Sequence, residues 1–286
     1  MVMSIGIKVG EIDCAAAIGK CGFPGGGWAV NPYVGCAHDC VYCYARFIKR
    51  FTGHNEAWGG FVDVRVNMVE VLKKQLKSAK YREGRIYIGT VTDPYQSLEE
   101  RYKITRSVLE VLMDYGAGVS ILTKSNLVLR DLDLLRKFKD IDVNFTLNSF
   151  DEKWKSLVEP NSPSIKDRIE AVKRIVANSI KVYVMVGPYW PFFTDASVML
   201  RKFKELGVSG IFTESFNTVG GNWSGVEGVL TKNCPNLLPE FRQIMFNKEK
   251  FNEFYDREYE KIMGLSKELN LPATVYFGQG HAAKFK

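Results

Sequence analysis

Residues 164–186 read SIKDRIEAVKRIVANSIKVYVMV, and within this stretch the apolar period changes once. Ile165, Ile169, Val172, Ile175 and Val176 recur at spacings that put them on one face of a helix. Ser164, with Asp167 three residues on, marks the helix start, because its hydroxyl accepts an N–H that the first turn leaves free. From Ile180 the pattern becomes IKVYVMV, a β-branched run suited to a buried strand. A helix feeding directly into such a strand is half of a crossover between parallel strands.

The same rhythm recurs on both sides. RIYIGTV (85–91), GVSILTK (118–124), IDVNFTL (141–147) and VSGIFTE (208–214) read as further strands, with helices expected at 67–79, 100–114, 130–138, 164–178 and 195–206. With GWAVNPYVG (27–35) as the first strand there are six βα units. Right-handed crossovers then give an α/β fold, a curved, partly open (β/α)6 barrel rather than a closed one of eight units. A charged helical stretch at 239–269 and an edge strand ATVYFG (273–278) follow. The expectation is one domain with its core at about 27–215, an N-terminal extension at 1–26 and a C-terminal segment at 216–286. Ligand-contacting residues gather where such strands end, so TDPYQ, TKSN, NSFD, GPYWPFF and TESFN point to one rim.

A net charge of +7 and a pI of about 9.0 favour an anionic substrate or partner, nucleic acid among them, although charge spread over 286 residues also serves solubility. Neither a signal-peptide start nor an apolar run long enough for a bilayer is evident, so a cytoplasmic protein without a membrane partner is expected.

NPYVGCAHDCVYCYAR (31–46) holds Cys36, Cys40 and Cys43 within eight residues. A closed zinc site takes four ligands, usually as two separated pairs, and Cys40-x-x-Cys43 has no second pair. His38 belongs to the same short loop, where the backbone can hardly turn its ring onto a metal held by its neighbours. A four-iron cluster normally takes four cysteines, so three leave one iron without a protein ligand. Cys14, Cys21 and Cys234 lie apart and read either as an auxiliary iron–sulfur cluster or zinc site, or as unconnected cysteines.

Cys36-x3-Cys40-x2-Cys43 with Tyr42 before the last cysteine resembles the signature of the radical S-adenosylmethionine (radical SAM) enzymes. With the accompanying IGTVTDPYQSLEERYKITRSVLEVL, ILTKSNLVLRDLDLL, VEPNSPSIKDRIEAVKRI and VMVGPYWP, the chain is similar in order and spacing to the branch of spore photoproduct lyase from about Asn31 to Asp195. The resemblance implies a partial barrel and a [4Fe–4S] cluster on the three thiolates. It implies S-adenosylmethionine on the open iron, and a low-potential donor of the flavodoxin or ferredoxin kind. One electron then splits the carbon–sulfur bond and gives a 5′-deoxyadenosyl radical that abstracts hydrogen from a substrate, here unassigned and a candidate nucleic acid or nucleotide. The competing reading is a non-catalytic module whose cysteines hold structural zinc or iron–sulfur while a basic surface docks nucleic acid.

The resemblance also suggests residues around the cofactor, while leaving the catalytic residue on the substrate unknown. Tyr42 would lie beside the adenine and Lys124 would pair with the methionyl carboxylate; without the resemblance the first reads as packing and the second as a solvated strand end. Thr92 and Asp93 would sit near the methionyl amine, though Asp93-Pro94 is also a turn signal. Asn148 and Ser149 could bond the ribose or carboxylate. Arg168 could clamp a carboxylate or pair with a neighbouring acid such as Glu159. The aromatics of PYWPFF (188–193) and GGNWSG (220–225) stand at the presumed rim, either to stack on substrate or to pack, and Glu214 is an acid at the end of the sixth strand. The lyase's hydrogen-returning cysteine has no counterpart, since no cysteine lies between Cys43 and Cys234; Tyr95 and Cys234 are the candidates left.

Overall fold

The computed structural model describes residues 6–23, 25–218 and 221–278. Among these residues eleven strands form two sheets: β1 Lys8–Ile12, β2 Ile18–Lys20, β3 Trp28–Val30, β4 Tyr33–Gly35, β5 Phe61–Arg65, β6 Ile86–Ile88, β7 Val119–Thr123, β8 Ile141–Thr146, β9 Lys181–Tyr189, β10 Gly210–Ser215 and β11 Ala273–Tyr276. The larger sheet has the order β11-β10-β9-β8-β7-β6-β3-β2, parallel from β11 to β3 and antiparallel only at β2. Among the described residues its two edges, β11 and β2, do not pair, so the barrel is open, with the six expected units in the expected order.

The alternation of side chains shows how the sheet is used. Ile86, Ile88, Ile121, Val143, Val182 and Val184 are wholly buried or nearly so, and belong to the main core with the helices. Tyr87, Leu122, Asn144, Tyr183, Met185 and Phe212, on the opposite face, stay half-buried. One face therefore makes the core and the other lines a lumen. The helix Ile165–Ala177 starts at Ser164, whose Oγ accepts from the Asp167 N–H at 3.0 Å. Its buried stripe is Ile165, Arg168, Ala171, Val172 and Ile175, while Ile169 and Val176 stand half out.

Three departures have local causes. The expected first strand splits at Asn31-Pro32: Pro32 offers no ladder N–H, β3 joins the large sheet, and β4 turns away to pair antiparallel with β5 in the small sheet β1-β5-β4. The expected helix 100–114 breaks at Lys103 (φ +53), because the buried Glu99 carboxylate accepts the Thr105 and Arg106 N–H groups at 2.9 and 3.3 Å and so caps a second helix, Ile104–Tyr115. Beyond β10 the chain forms the helices Asn222–Asn233, Leu238–Phe246 and Lys248–Leu269, the last two separated by the Asn247 cap, where one stretch at 239–269 was expected. Residues 1–5 and Pro24 of the N-terminal extension, Val219, Gly220 of GGNWSG and residues 279–286 lie outside the described residues. Among those described, no helix is long and apolar enough to cross a membrane.

Candidate active site

The cysteine loop leaves β4 at Gly35, whose φ is +86°; an added Cβ there would stand 2.5 Å from the Phe61 carbonyl. The loop is then fixed by residues that follow β6. Gly35 O accepts from the Thr92 hydroxyl at 2.6 Å, and the Ala37 N–H donates to Gln96 Oε1 at 2.7 Å. Asp93 Oδ1 receives the Thr123 hydroxyl at 2.7 Å and the Tyr95 N–H at 2.9 Å, while Oδ2 receives the Lys124 N–H at 2.7 Å and lies 3.3 Å from His38 Nδ1. Burial raises the Asp93 carboxyl, but His38 and these donors outweigh it and hold the group at about 2.

All three thiols are pushed up by burial, Cys36 to about 12. The Lys124 ammonium draws Cys40 and Cys43 back down. Trp58 packs with Cys36, Cys43, Ala45 and Phe61, and its Nε1 is buried without a hydrogen-bond partner. Lys124 has neither a salt bridge nor a hydrogen bond from its ammonium to another described residue; Nζ stands 5.7 Å from the Tyr42 ring centre. Burial works against its charge, yet the Cys40 sulfur and the Glu159 carboxylate keep the group above the usual lysine range.

Tyr42 is immobilised from behind. Its hydroxyl donates to Glu159 and accepts from Asn148 Nδ2 at 3.1 Å, and its ring meets Trp190 edge to face at 5.3 Å. Glu159, fully buried, is gripped by Arg168 Nη2, whose other nitrogens donate to the Thr146 and Pro163 carbonyls at 3.1 Å. Arg168 is thus bound to its neighbouring acid rather than presented as a clamp. Ser149 Oγ donates to Phe193 O at 2.6 Å, and Thr92 and Asp93 hold the loop, so the polar groups of these three serve the protein frame. Tyr42, Lys124 and Asn148 are the suggested residues that gather beside the cysteines. In PYWPFF, Tyr189 and Trp190 are core residues, Phe193 stacks on Trp154 at 3.7 Å and Phe192 alone is exposed; Trp223 packs on Phe241 and Phe246. The Tyr95 hydroxyl is bound to Asp131 at 3.0 Å. Glu159, Trp58 and Gln96 carry structural or tuning roles that residue type alone did not disclose. From the sequence, Glu159 is expected only as a partner for Arg168.

The donor set fits a cluster better than a single ion. Zinc with four ligands at about 2.3 Å would draw its sulfurs to about 4 Å from one another, and among the described residues no three His, Cys, Asp or Glu side chains converge so as to hold one ion. Three separate thiols, an orphaned indole N–H and an unpaired ammonium are what a cubane with several acceptor sulfurs and an anionic co-ligand would satisfy. Cys14 and Cys21 flank β2, and Cys234 follows the helix Asn222–Asn233. Cys14 lies against Met68, and the Cys21 N–H bonds Gly27 O.

The family model "Radical SAM superfamily" matches residues 30–212. An uncharacterised protein of Methanocaldococcus jannaschii is 34% identical over 260 residues, spanning 91% of this chain and 95% of that one. A radical SAM Nα-GlyT isomerase of Pseudomonas phage M6 is 23% identical over 248 residues, 86% of this chain and 48% of that protein. Spore photoproduct lyase complexed with dinucleoside spore photoproduct shares the fold with a TM-score of 0.67 and 14% identity, over 94% of this chain and 82% of that one. Superfamily enzymes cleave S-adenosylmethionine with an iron–sulfur cluster and a reductant, and the chain belongs to the radical SAM superfamily.

Proposed function

We propose that this enzyme holds a [4Fe–4S] cluster on Cys36, Cys40 and Cys43, binds S-adenosylmethionine between Lys124 and Tyr42, and abstracts hydrogen from a nucleic acid or nucleotide in the barrel lumen. When bound, the cluster supplies the electron that splits the sulfonium carbon–sulfur bond, delivered to it by an acidic low-potential protein of the flavodoxin or ferredoxin kind. One observation carries the reading: the unpaired Lys124 ammonium stands beside the cysteine loop and over the ring of Tyr42. An ammonium half-buried in this way calls for an anion, which the methionyl carboxylate supplies. Glu159 and Asn148 keep the Tyr42 ring still enough to support the adenine. The free N–H of Trp58, beside Cys36 and Cys43, would be available as a donor to a cluster held there.

For the substrate, support comes from the net charge of +7 and from the fold shared with a lyase complexed with a dinucleoside photoproduct. The missing cysteine after β6 and the bound Tyr95 hydroxyl argue that hydrogen is not returned as in photoproduct repair. The test is oxygen-free reconstitution followed by dithionite and S-adenosylmethionine, with deuterated oligonucleotides and nucleotides as probes. The reading predicts methionine and 5′-deoxyadenosine, with deuterium in the latter. Loaded protein that yields no deoxyadenosine overturns the reaction; deoxyadenosine that never acquires deuterium from nucleic acid or nucleotides overturns the substrate.

A further inference from the structure

The segment that leaves the last cysteine, YARFIKRF at 44–51, is a single 3-10 helix with three basic residues and no acid. Its inner side is anchored to the site. The Tyr44 hydroxyl donates to the Thr90 carbonyl just past β6, and Arg46 Nη2 donates to the Cys40 and Val41 carbonyls at 3.3 and 3.0 Å. Ala45 is buried against Trp58 and Phe61. The outer side is bare. Phe51 is 72% exposed and Phe47 39%, and the Arg50 guanidinium lies over both rings, 4.7 and 5.5 Å from their centres.

Leaving two rings in water forgoes the burial that would stabilise the fold by roughly 25 cal/mol per Å². Rigid exposed aromatics interleaved with cations are the surface on which successive bases stack while their phosphates are neutralised. An acidic protein would also suit the charge. Nucleic acid is favoured by the interleaving of rings with cations and by the anchor at Thr90, just past the end of β6 on the rim where the strands end.

We propose that Phe47, Arg50 and Phe51 form a docking ledge for single-stranded nucleic acid at the barrel mouth. It rests on the nucleic-acid reading above and locates that partner on the surface. The experiment measures binding of a fluorescent oligothymidylate to the cluster-loaded full chain by anisotropy at several salt concentrations, with thermal melting to show that exposed-residue variants stay folded. Phe51→Ala and Phe47→Ala each weaken binding about tenfold. Arg50→Ala weakens it too and flattens the log–log salt slope by about 0.7, one phosphate on a single strand. If all three variants bind like the parent chain, the ledge is overturned while the nucleic-acid reading stands. If the parent chain binds no oligonucleotide, that reading fails and takes the ledge with it. Variants that lose only binding to a flavodoxin-type protein also overturn the ledge, giving this surface to the electron donor.

Discussion

Glu159→Gln removes one charge from a site where it faces two. Glu159 is fully buried, its carboxylate takes Arg168 Nη2 and the Tyr42 hydroxyl, and it lies within the field of Lys124. Burial raises its pKa, yet Arg168, Lys124 and the Tyr42 hydrogen bond outweigh burial and lower it from 4.5 to about 2. At 1.36 kcal/mol per unit that depression is worth about 3 kcal/mol, and breaking a buried pair by removing one partner costs roughly 3–5 kcal/mol. The pKa is depressed in the folded state, so the stabilisation is complete above about 4.5 and fades as pH falls toward 2. Urea unfolding at pH 7 should therefore show the variant about 3 kcal/mol less stable than the parent chain, with the gap narrowing below pH 4.5. Asp93 and other acids titrate in the same range, but they do so in both proteins and cancel in the difference. A variant within 1 kcal/mol of the parent at pH 7, or a gap that does not narrow in acid, refutes the reasoning.

Gly35→Ala would drive a Cβ into the Phe61 carbonyl at a positive φ; it should lower Tm by several degrees and reduce iron uptake on reconstitution. Trp58→Phe keeps the ring and loses the N–H beside Cys43. Redox titration should find the cluster couple more negative, by about 59 mV for each tenfold loss in the reduction constant. Lys124→Met should weaken S-adenosylmethionine binding at least tenfold in equilibrium dialysis, while iron content stays the same. Unchanged affinity would remove the ammonium from the cofactor site.

Strands and crossovers were legible because a parallel sheet covered by helices leaves a long periodic record, as in 164–186. The split at Asn31-Pro32 was concealed by the β character of both halves, and the break at Lys103 by a cause in tertiary structure: the Glu99 carboxylate buried where the second helix begins. At the site, cysteine spacing gave the loop and the resemblance gave Lys124 and Tyr42. Which polar side chains would be consumed by the frame was not legible. Thr92, Asp93, Ser149 and Arg168 look free in a string of letters and acquire partners only when Gly35, Thr123, Phe193 and Glu159 come beside them. Trp58 lies fifteen residues beyond Cys43, and nothing in WGGF marks it as facing a sulfur.

The account turns on three thiols that leave one iron corner to S-adenosylmethionine. The most direct measurement is the electron paramagnetic resonance spectrum of anaerobically reconstituted, dithionite-reduced protein with and without S-adenosylmethionine, alongside iron analysis of the Cys36→Ala, Cys40→Ala and Cys43→Ala variants. The account predicts about four irons per chain, a reduced-cluster signal that shifts when S-adenosylmethionine is added, and loss of the cluster in each variant. A signal indifferent to S-adenosylmethionine, or full iron retained without one of these cysteines, would contradict it.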